Sequence, residues 1–201
     1  MPRMSLIIGF SGRLRSGKDT AATPLIASGW HHASFAAALK DFTVAVNPLV
    51  PNEAGNRFYR LAELVKHYGW ERTKDEFPEA RALLQRVGTE AGRDVLGQDV
   101  WVDAAMERLP KGVDAVFTDC RFPNEAAAIQ ARGGIVIRVE RPSLPEPGPD
   151  AHPSETALDD FDFDATIRNT GTVADLHAAV EFIVTQERHA RARTMAPGTA
   201  V

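Results

Sequence analysis

The stretch Gly12-Arg13-Leu14-Arg15-Ser16-Gly17-Lys18-Asp19-Thr20 constrains this chain more than any other. It follows the apolar run Leu6-Ile7-Ile8-Gly9-Phe10 and precedes an alanine-rich segment. A strand, a glycine loop and a helix in that order are the context of a phosphate-binding loop. Its glycines free backbone N–H groups to wrap phosphate oxygens, the helix N-terminus adds partial positive charge, and the lysine reaches the β- and γ-phosphates. The spacing here is Gly-x4-Gly-Lys, followed by Asp19 where the usual pattern places a Ser or Thr hydroxyl on magnesium. Thr20 could supply that hydroxyl one place later, or the Asp19 carboxylate could hold the metal directly or through water.

The elements around the loop read as alternating strands and helices. The segments Ser5–Phe10, Trp30–Phe35, Val113–Thr118, Ile135–Val139 and Asp164–Arg168 read as five strands, Val113–Thr118 nearly all apolar. Helices are expected over about Gly17–Ser28, Ala36–Val46, Leu61–Tyr68, from Phe77, over Asp99–Leu109 and Asn124–Arg132, and from Val173 to about Ala190. Pro24 falls inside the first of these, removes its bond to the Thr20 carbonyl and predicts a kink or early end. Residues 48–60 read as an irregular excursion, and Gly69-Trp70 as a helix break. The alternation implies right-handed crossovers and a parallel sheet, with ligands at the strands' carboxyl ends. The expected organisation is one domain over residues 1–190 with a helical excursion at about 40–105, a proline-rich lid at about 141–157 and a disordered tail at 191–201.

Charge and cysteine content narrow the function. A net charge of −4 argues against a dedicated nucleic-acid binder, which carries a basic surface. One cysteine permits no internal disulfide, so a reducing, cytoplasmic setting is expected. The N-terminal apolar run is too short for a signal peptide, and no segment approaches the ~20 apolar residues of a membrane span.

A second informative stretch is Thr118-Asp119-Cys120-Arg121-Phe122-Pro123-Asn124-Glu125, at the carboxyl end of a buried strand. Asp119 can orient a metal-bound water or a substrate group, Arg121 can hold phosphate with its planar fork of donors, and Glu125 is within reach of a sugar hydroxyl or a cation. The plainer reading is a helix cap followed by surface charge. A third is Leu84-Gln85-Arg86-Val87-Gly88-Thr89-Glu90, with Trp101 beyond it; by themselves these read as a helix end and a core tryptophan. The histidines and the cysteine show no zinc spacing, which leaves magnesium as the expected metal.

Taken together, Gly12-x4-Gly17-Lys18-Asp19-Thr20, Leu39-Lys40-Asp41, Leu84-Gln85-x2-Gly88-Thr89-Glu90, Asp99-x-Trp101-Val102, Thr118-Asp119-x-Arg121-x3-Glu125 and His152-x-Ser154-Glu155 resemble the phage-type deoxynucleoside monophosphate kinases. The resemblance runs from about residue 5 to residue 180. It implies a three-layer α/β/α fold of the P-loop NTPase and nucleoside monophosphate kinase kind, and often a homodimer. It also implies transfer of the ATP γ-phosphoryl to a deoxynucleoside 5′-monophosphate with Mg2+. Arg13, Arg15, Ser16, Gly17, Lys18, Asp19, Thr20 and Asn169 would then serve ATP, with Asp19 and Thr20 as metal candidates beside Asp119. Leu14, Leu39, Lys40, Gly88, Thr89, Trp101, Asp119, Arg121 and Glu125 would face the acceptor, joined by Arg60 or Arg57, of which Arg60 is preferred. Lys18, Asp19, Asp119 and Arg121 would carry the chemistry, and Arg141, His152 and Glu155 would belong to the lid. Other P-loop kinases, such as dephospho-coenzyme A kinase, share the plan, and a nucleotide-binding switch could use the same loop.

Overall fold

The computed structural model describes residues 5–146, 148 and 155–195. His152, and residues 196–201 of the expected tail, lie outside them. In chain order the elements are β1 (Ile7–Ser11), α1 (Lys18–Ala27), β2 (His31–Ala33), α2 (Phe35–Val46), β3 (Leu49–Pro51), β4 (Phe58–Arg60), α3 (Leu61–Glu76) and α4 (Pro78–Arg86). A π-helical turn (Val87–Arg93) follows, then α5 (Asp94–Leu96), α6 (Val100–Glu107), β5 (Ala115–Phe117), α7 (Pro123–Ala131), β6 (Ile135–Glu140), β7 (Ala165–Arg168) and α8 (Val173–Met195). They divide into two compact units, one up to His32 and from Pro110 onward, the other Ala33–Leu109.

The first unit is built on a five-stranded sheet of order β2-β5-β1-β6-β7. The pairs β1–β5, β1–β6 and β6–β7 are parallel, with Gly9 opposite Phe117 on one side and Val136 on the other. Every residue of β1 is buried, as a central parallel strand requires. Alternation along β1 sets the layers. Ile8 and Phe10 point to one face, where Ala21, Ala22 and Leu25 of α1 and Leu176, Val180 and Val184 of α8 complete the core. Gly9 faces the other way, where a Cβ would come within 2.3 Å of Ile129 Cδ1 on α7. Only a hydrogen at that position lets α7 lie so close, and the result is the expected three-layer arrangement.

Pro24 neither ends nor breaks α1, which continues to Ala27. The proline leaves the Thr20 carbonyl without its helical donor, and His177 of α8 supplies one from Nε2 at 3.0 Å. The closing helix also runs beyond its expected end near Ala190. Residues 191–195, assigned to a disordered tail by sequence, are helical, because Arg191 pairs with Glu187 one turn back at 2.7 Å and donates to the Gly133 carbonyl.

The second unit departs further from expectation. Residues 48–60 are not irregular: β3 and β4 form an antiparallel hairpin, with Val50 opposite Tyr59. Val50 is fully buried and joins Leu61, Leu64, Phe77 and Ala80 in a separate core, with Tyr59 edge-on to Phe77 at 5.7 Å. A buried Leu or Phe contributes about 1.5–3 kcal/mol, enough for this small cluster to order the hairpin. Gly69 does interrupt α3, with φ 73° and ψ 165°, but the helix resumes and runs to Glu76.

Candidate active site

The loop between β1 and α1 holds three residues of positive φ, Gly12 (140°), Arg15 and Gly17. Gly17, at the helix N-cap, has φ 106°, and a Cβ there would lie 2.6 Å from Asn169 Nδ2. Arg15 has φ 65°, a conformation that costs a non-glycine residue roughly 1–2 kcal/mol and so signals a loop held for a purpose. Asn169, expected to serve ATP, donates its side-chain amide to the Ser16 carbonyl at 2.8 Å and braces the loop from the end of β7. Ser16 is 1 % exposed, and among the described residues its Oγ has no hydrogen-bond partner.

Lys18 is buried, and its ammonium donates to the carbonyls of Gly12 (2.5 Å) and Arg13 (2.8 Å). Burial, with Arg121 adding repulsion, lowers its pKa to about 8; Glu155, Asp19 and Asp119 oppose the shift. A lysine so placed is poorly solvated and gains much from an approaching phosphate.

Arg121 sits just beyond β5, and its Nη1 donates to Glu155 Oε1 at 2.6 Å. The other carboxylate oxygen of Glu155 accepts the backbone N–H of Leu14 at 2.8 Å. Burial works to raise the Glu155 carboxyl, but the Leu14 amide, Arg121 and Lys18 outweigh it and hold the group below its ordinary range. Leu14 itself is exposed, so the loop meets this carboxylate through backbone alone. Glu125, expected toward a sugar, is 5 % exposed; its Oε2 accepts the amides of Arg121 (2.7 Å) and Phe122 (3.1 Å). It caps α7 and fixes the backbone that carries Arg121. Cys120 is buried, which pushes its thiol well up and leaves it a packing residue.

Beside the loop lies a cleft of about 220 Å3, lined by Arg13, Ser16, Glu140, Arg141, Leu144 and Arg168 among others. Arg13 pairs with Glu146 at 2.6 Å. Arg141 and Arg168 are exposed at the ends of β6 and β7. Arg138 was not expected here. It is tied to Asp159 (2.8 Å) and the Leu158 carbonyl (3.0 Å), and joins Arg121 and Glu155 around the mouth of the loop. The available signal was a single arginine inside the otherwise apolar run Ile135–Val139.

In the second unit Leu39, Gly88 and Trp101 come together. A Cβ on Gly88 would lie 3.0 Å from Leu39 Cδ2, and the Trp101 indole donates to the Gly88 carbonyl at 2.9 Å. Trp101 is 8 % exposed and packs over Gly92, where a Cβ would come within 2.6 Å of the indole. It therefore shapes the π-helical turn instead of offering an open aromatic face. Thr89 is exposed on that turn. Lys40 is near enough to Glu71 to help lower its pKa, after the closer Lys74. Arg60 donates to the Asn47 carbonyl at 3.1 Å and is committed to the end of α2. Arg57, the alternative, is exposed beyond the hairpin turn, where its backbone N–H donates to Asn52 Oδ1.

The sequence model of the deoxynucleotide monophosphate kinases matches residues 65–180, more than half of the chain. The chain belongs to the deoxynucleotide monophosphate kinase family. A protein of Acanthamoeba polyphaga mimivirus, provisionally named a deoxynucleotide monophosphate kinase, is 29 % identical over 87 % of this chain and 94 % of its own length. An uncharacterised protein, ORF77 of Ictalurid herpesvirus 1, is 34 % identical over 49 % of this chain and 45 % of its own. Among solved structures, TT1252 from Thermus thermophilus is 18 % identical over 92 % of this chain and 98 % of that one. Its TM-score is 0.40, too loose an overlap to bear on fold or function. No helix among the described residues of this family member is long and apolar enough to cross a membrane. Nor do three or more His, Cys, Asp or Glu side chains converge there on a metal position. Magnesium held by one or two carboxylates together with substrate phosphates needs no such cluster. Asp19 and Asp119 both act on Lys18 electrostatically, and that donor set fits a cation shared with phosphate.

Proposed function

We propose that this chain transfers the γ-phosphoryl group of ATP to a deoxynucleoside 5′-monophosphate, releasing ADP and a deoxynucleoside diphosphate. The observation that carries the reading is the buried Lys18 ammonium in its glycine loop, with Arg121 from the neighbouring strand end in its electrostatic range. Phosphoryl transfer is chiefly positioning and charge neutralisation, and these two cations serve the two phosphates that must meet. Arg13, Arg15, Ser16, Gly17 and Thr20 hold the donor's phosphates, the buried Ser16 Oγ gaining a partner it lacks among the described residues. The cleft lined by Arg141 and Arg168 takes the donor nucleoside. Magnesium, when bound, neutralises charge on the β- and γ-phosphates, and Asp19, Thr20 and Asp119 are the residues to hold it and its waters.

On the acceptor side, Arg121 aligns the monophosphate. The family resemblance assigns Leu39, Lys40, Gly88 and Thr89 to the deoxynucleoside, while Trp101 acts through the turn it fixes and Glu125 through the backbone of Arg121. No strong base is needed, because the acceptor phosphate is an anion at neutral pH. A pocket that rejects the extra ribose hydroxyl by shape discriminates by only about a hundredfold, so ribonucleotides are slow substrates and not excluded ones.

The test is a coupled assay of ADP release over all deoxynucleoside and ribonucleoside monophosphates with ATP and magnesium. Turnover of one or more deoxynucleotides, lost in a folded Lys18→Ala protein, supports the reading. ATP hydrolysis indifferent to every added monophosphate, or unimpaired turnover by Lys18→Ala, refutes it.

A further inference from the structure

Glu155 makes two bonds that no binding role for the side chain explains. One oxygen accepts the Leu14 amide at the apex of the phosphate loop (2.8 Å); the other accepts Arg121 Nη1 (2.6 Å). The side chain is 19 % exposed and Arg121 30 %, so the pair is largely withdrawn from water. Charge-assisted bonds of this length are about twice as strong as neutral ones and fix direction as well as distance. A long guanidinium gives up rotamer freedom when it orders, and a carboxylate anchored to backbone on its other side supplies the fixed point it needs. The backbone of Arg121 is fixed separately, by Glu125. Its head has Glu155 as an anchor, and through Glu155 it is tied to the loop that holds Lys18.

We propose that Glu155 is a positioning residue for phosphoryl transfer, its carboxylate bridging the Leu14 amide and the Arg121 guanidinium so that the arginine meets the acceptor phosphate already aimed. The inference rests on the kinase reading above. It names a role that lid membership does not: Glu155 acts through Arg121, not on substrate. The opposite role would be a carboxylate occupying the phosphate's own seat, and it changes the kinetics in the opposite direction.

Glu155→Gln is nearly isosteric and keeps one acceptor oxygen, but it cannot accept from both donors. With wild type, Glu155→Gln, Arg121→Ala and the double variant, kcat and KM for the deoxynucleotide are measured at saturating ATP, alongside ATP affinity and thermal stability. Loss of one charge-assisted bond predicts a drop of roughly 10- to 100-fold in kcat/KM for Glu155→Gln, led by the acceptor KM. ATP affinity should change by less than about threefold, since the lysine loop keeps its own contacts. In the Arg121→Ala background the same substitution should cost less than about threefold, because its target is gone. Glu155→Asp, which keeps the charge, should recover part of the loss. An active wild type whose Glu155→Gln variant is unchanged, or has a lower acceptor KM, overturns this inference alone. So does a full, additive loss in the Arg121→Ala background. A wild type that phosphorylates no deoxynucleotide overturns the kinase reading and this inference with it.

Discussion

Pro24 and His177 form a linked pair whose energetics can be worked out in advance. A proline at residue 24 of α1 removes the N–H that would reach the Thr20 carbonyl, and its ring crowds that carbonyl as well. His177 Nε2 donates to the same oxygen at 3.0 Å from the adjacent helix. His177→Ala leaves the carbonyl with neither donor. Unfavourable exposure of a lost hydrogen bond and a poorly hydrated acceptor together cost about 1–2 kcal/mol. In a Pro24→Ala background the new N–H of residue 24 serves Thr20 as in any helix, so His177→Ala should cost only a few tenths of a kcal/mol. The coupling is then about 1 kcal/mol, or roughly 2–4 °C in melting temperature for a chain of this size. The assay is urea unfolding of wild type, both single variants and the double variant, with the slopes required to agree. If His177→Ala costs the same in both backgrounds, the histidine acts by packing alone and the account of how α1 tolerates its proline is wrong.

Gly17→Ala should abolish measurable ATP binding while the sheet survives. The φ of 106° and a Cβ 2.6 Å from Asn169 Nδ2 deform the loop locally; a calorimetric titration with unchanged affinity would contradict this. Trp101→Phe keeps most of the packing over Gly92 but removes the donor to the buried Gly88 carbonyl. It should destabilise by about 1–3 kcal/mol in urea and raise the acceptor KM; an unchanged unfolding midpoint counts against the indole as organiser of the π-helical turn. Lys18 supplies a pH signature in the nucleotide-free protein. Its folded pKa of about 8 lies below the ordinary lysine value, so between pH 8 and that value the unfolded chain binds more protons. The burial penalty is therefore complete below pH 8 and shrinks as pH rises above it. The stability gap between Lys18→Met and wild type should narrow from pH 7.5 to 9.5, and a constant gap would show that Lys18 titrates normally.

Much of the first unit was legible from residues alone. The five expected strand segments match the five strands to within a few residues, and the glycine loop follows the central one. What escaped is side-chain direction. Asn169 after the last strand looks the same in sequence whether it faces a base or the Ser16 carbonyl, and only the fold decides. Glu125 could equally have been a ligand or a cap; the spacing that puts it in the first turn of α7 serves both, and the amides of Arg121 and Phe122 take it. The hairpin of β3 and β4 was hidden because its strands are short and hold Pro51 and Arg60, poor strand signals outweighed by burial of Val50. The helical end of α8 depends on Arg191 reaching Gly133, a contact with no local sequence trace.

The places where local rules fail are informative because they collect around the glycine loop. Arg15 holds a left-handed backbone, Lys18 is a buried cation, Ser16 Oγ is buried without a described partner, and Pro24 sits inside the helix that follows. Sequences otherwise satisfy propensity, polarity and packing together, and departures tend to mark function. Residues distant in sequence brace this segment: Asn169 on the Ser16 carbonyl, His177 on the Thr20 carbonyl, Glu155 on the Leu14 amide. All three lie C-terminal to β6, so the loop depends on the last third of the chain for its shape. A truncation ending shortly after β6 should thus retain the Gly-x4-Gly-Lys sequence yet lose phosphate binding. Retained affinity for ATP in such a fragment would show that the loop carries its geometry within its own residues.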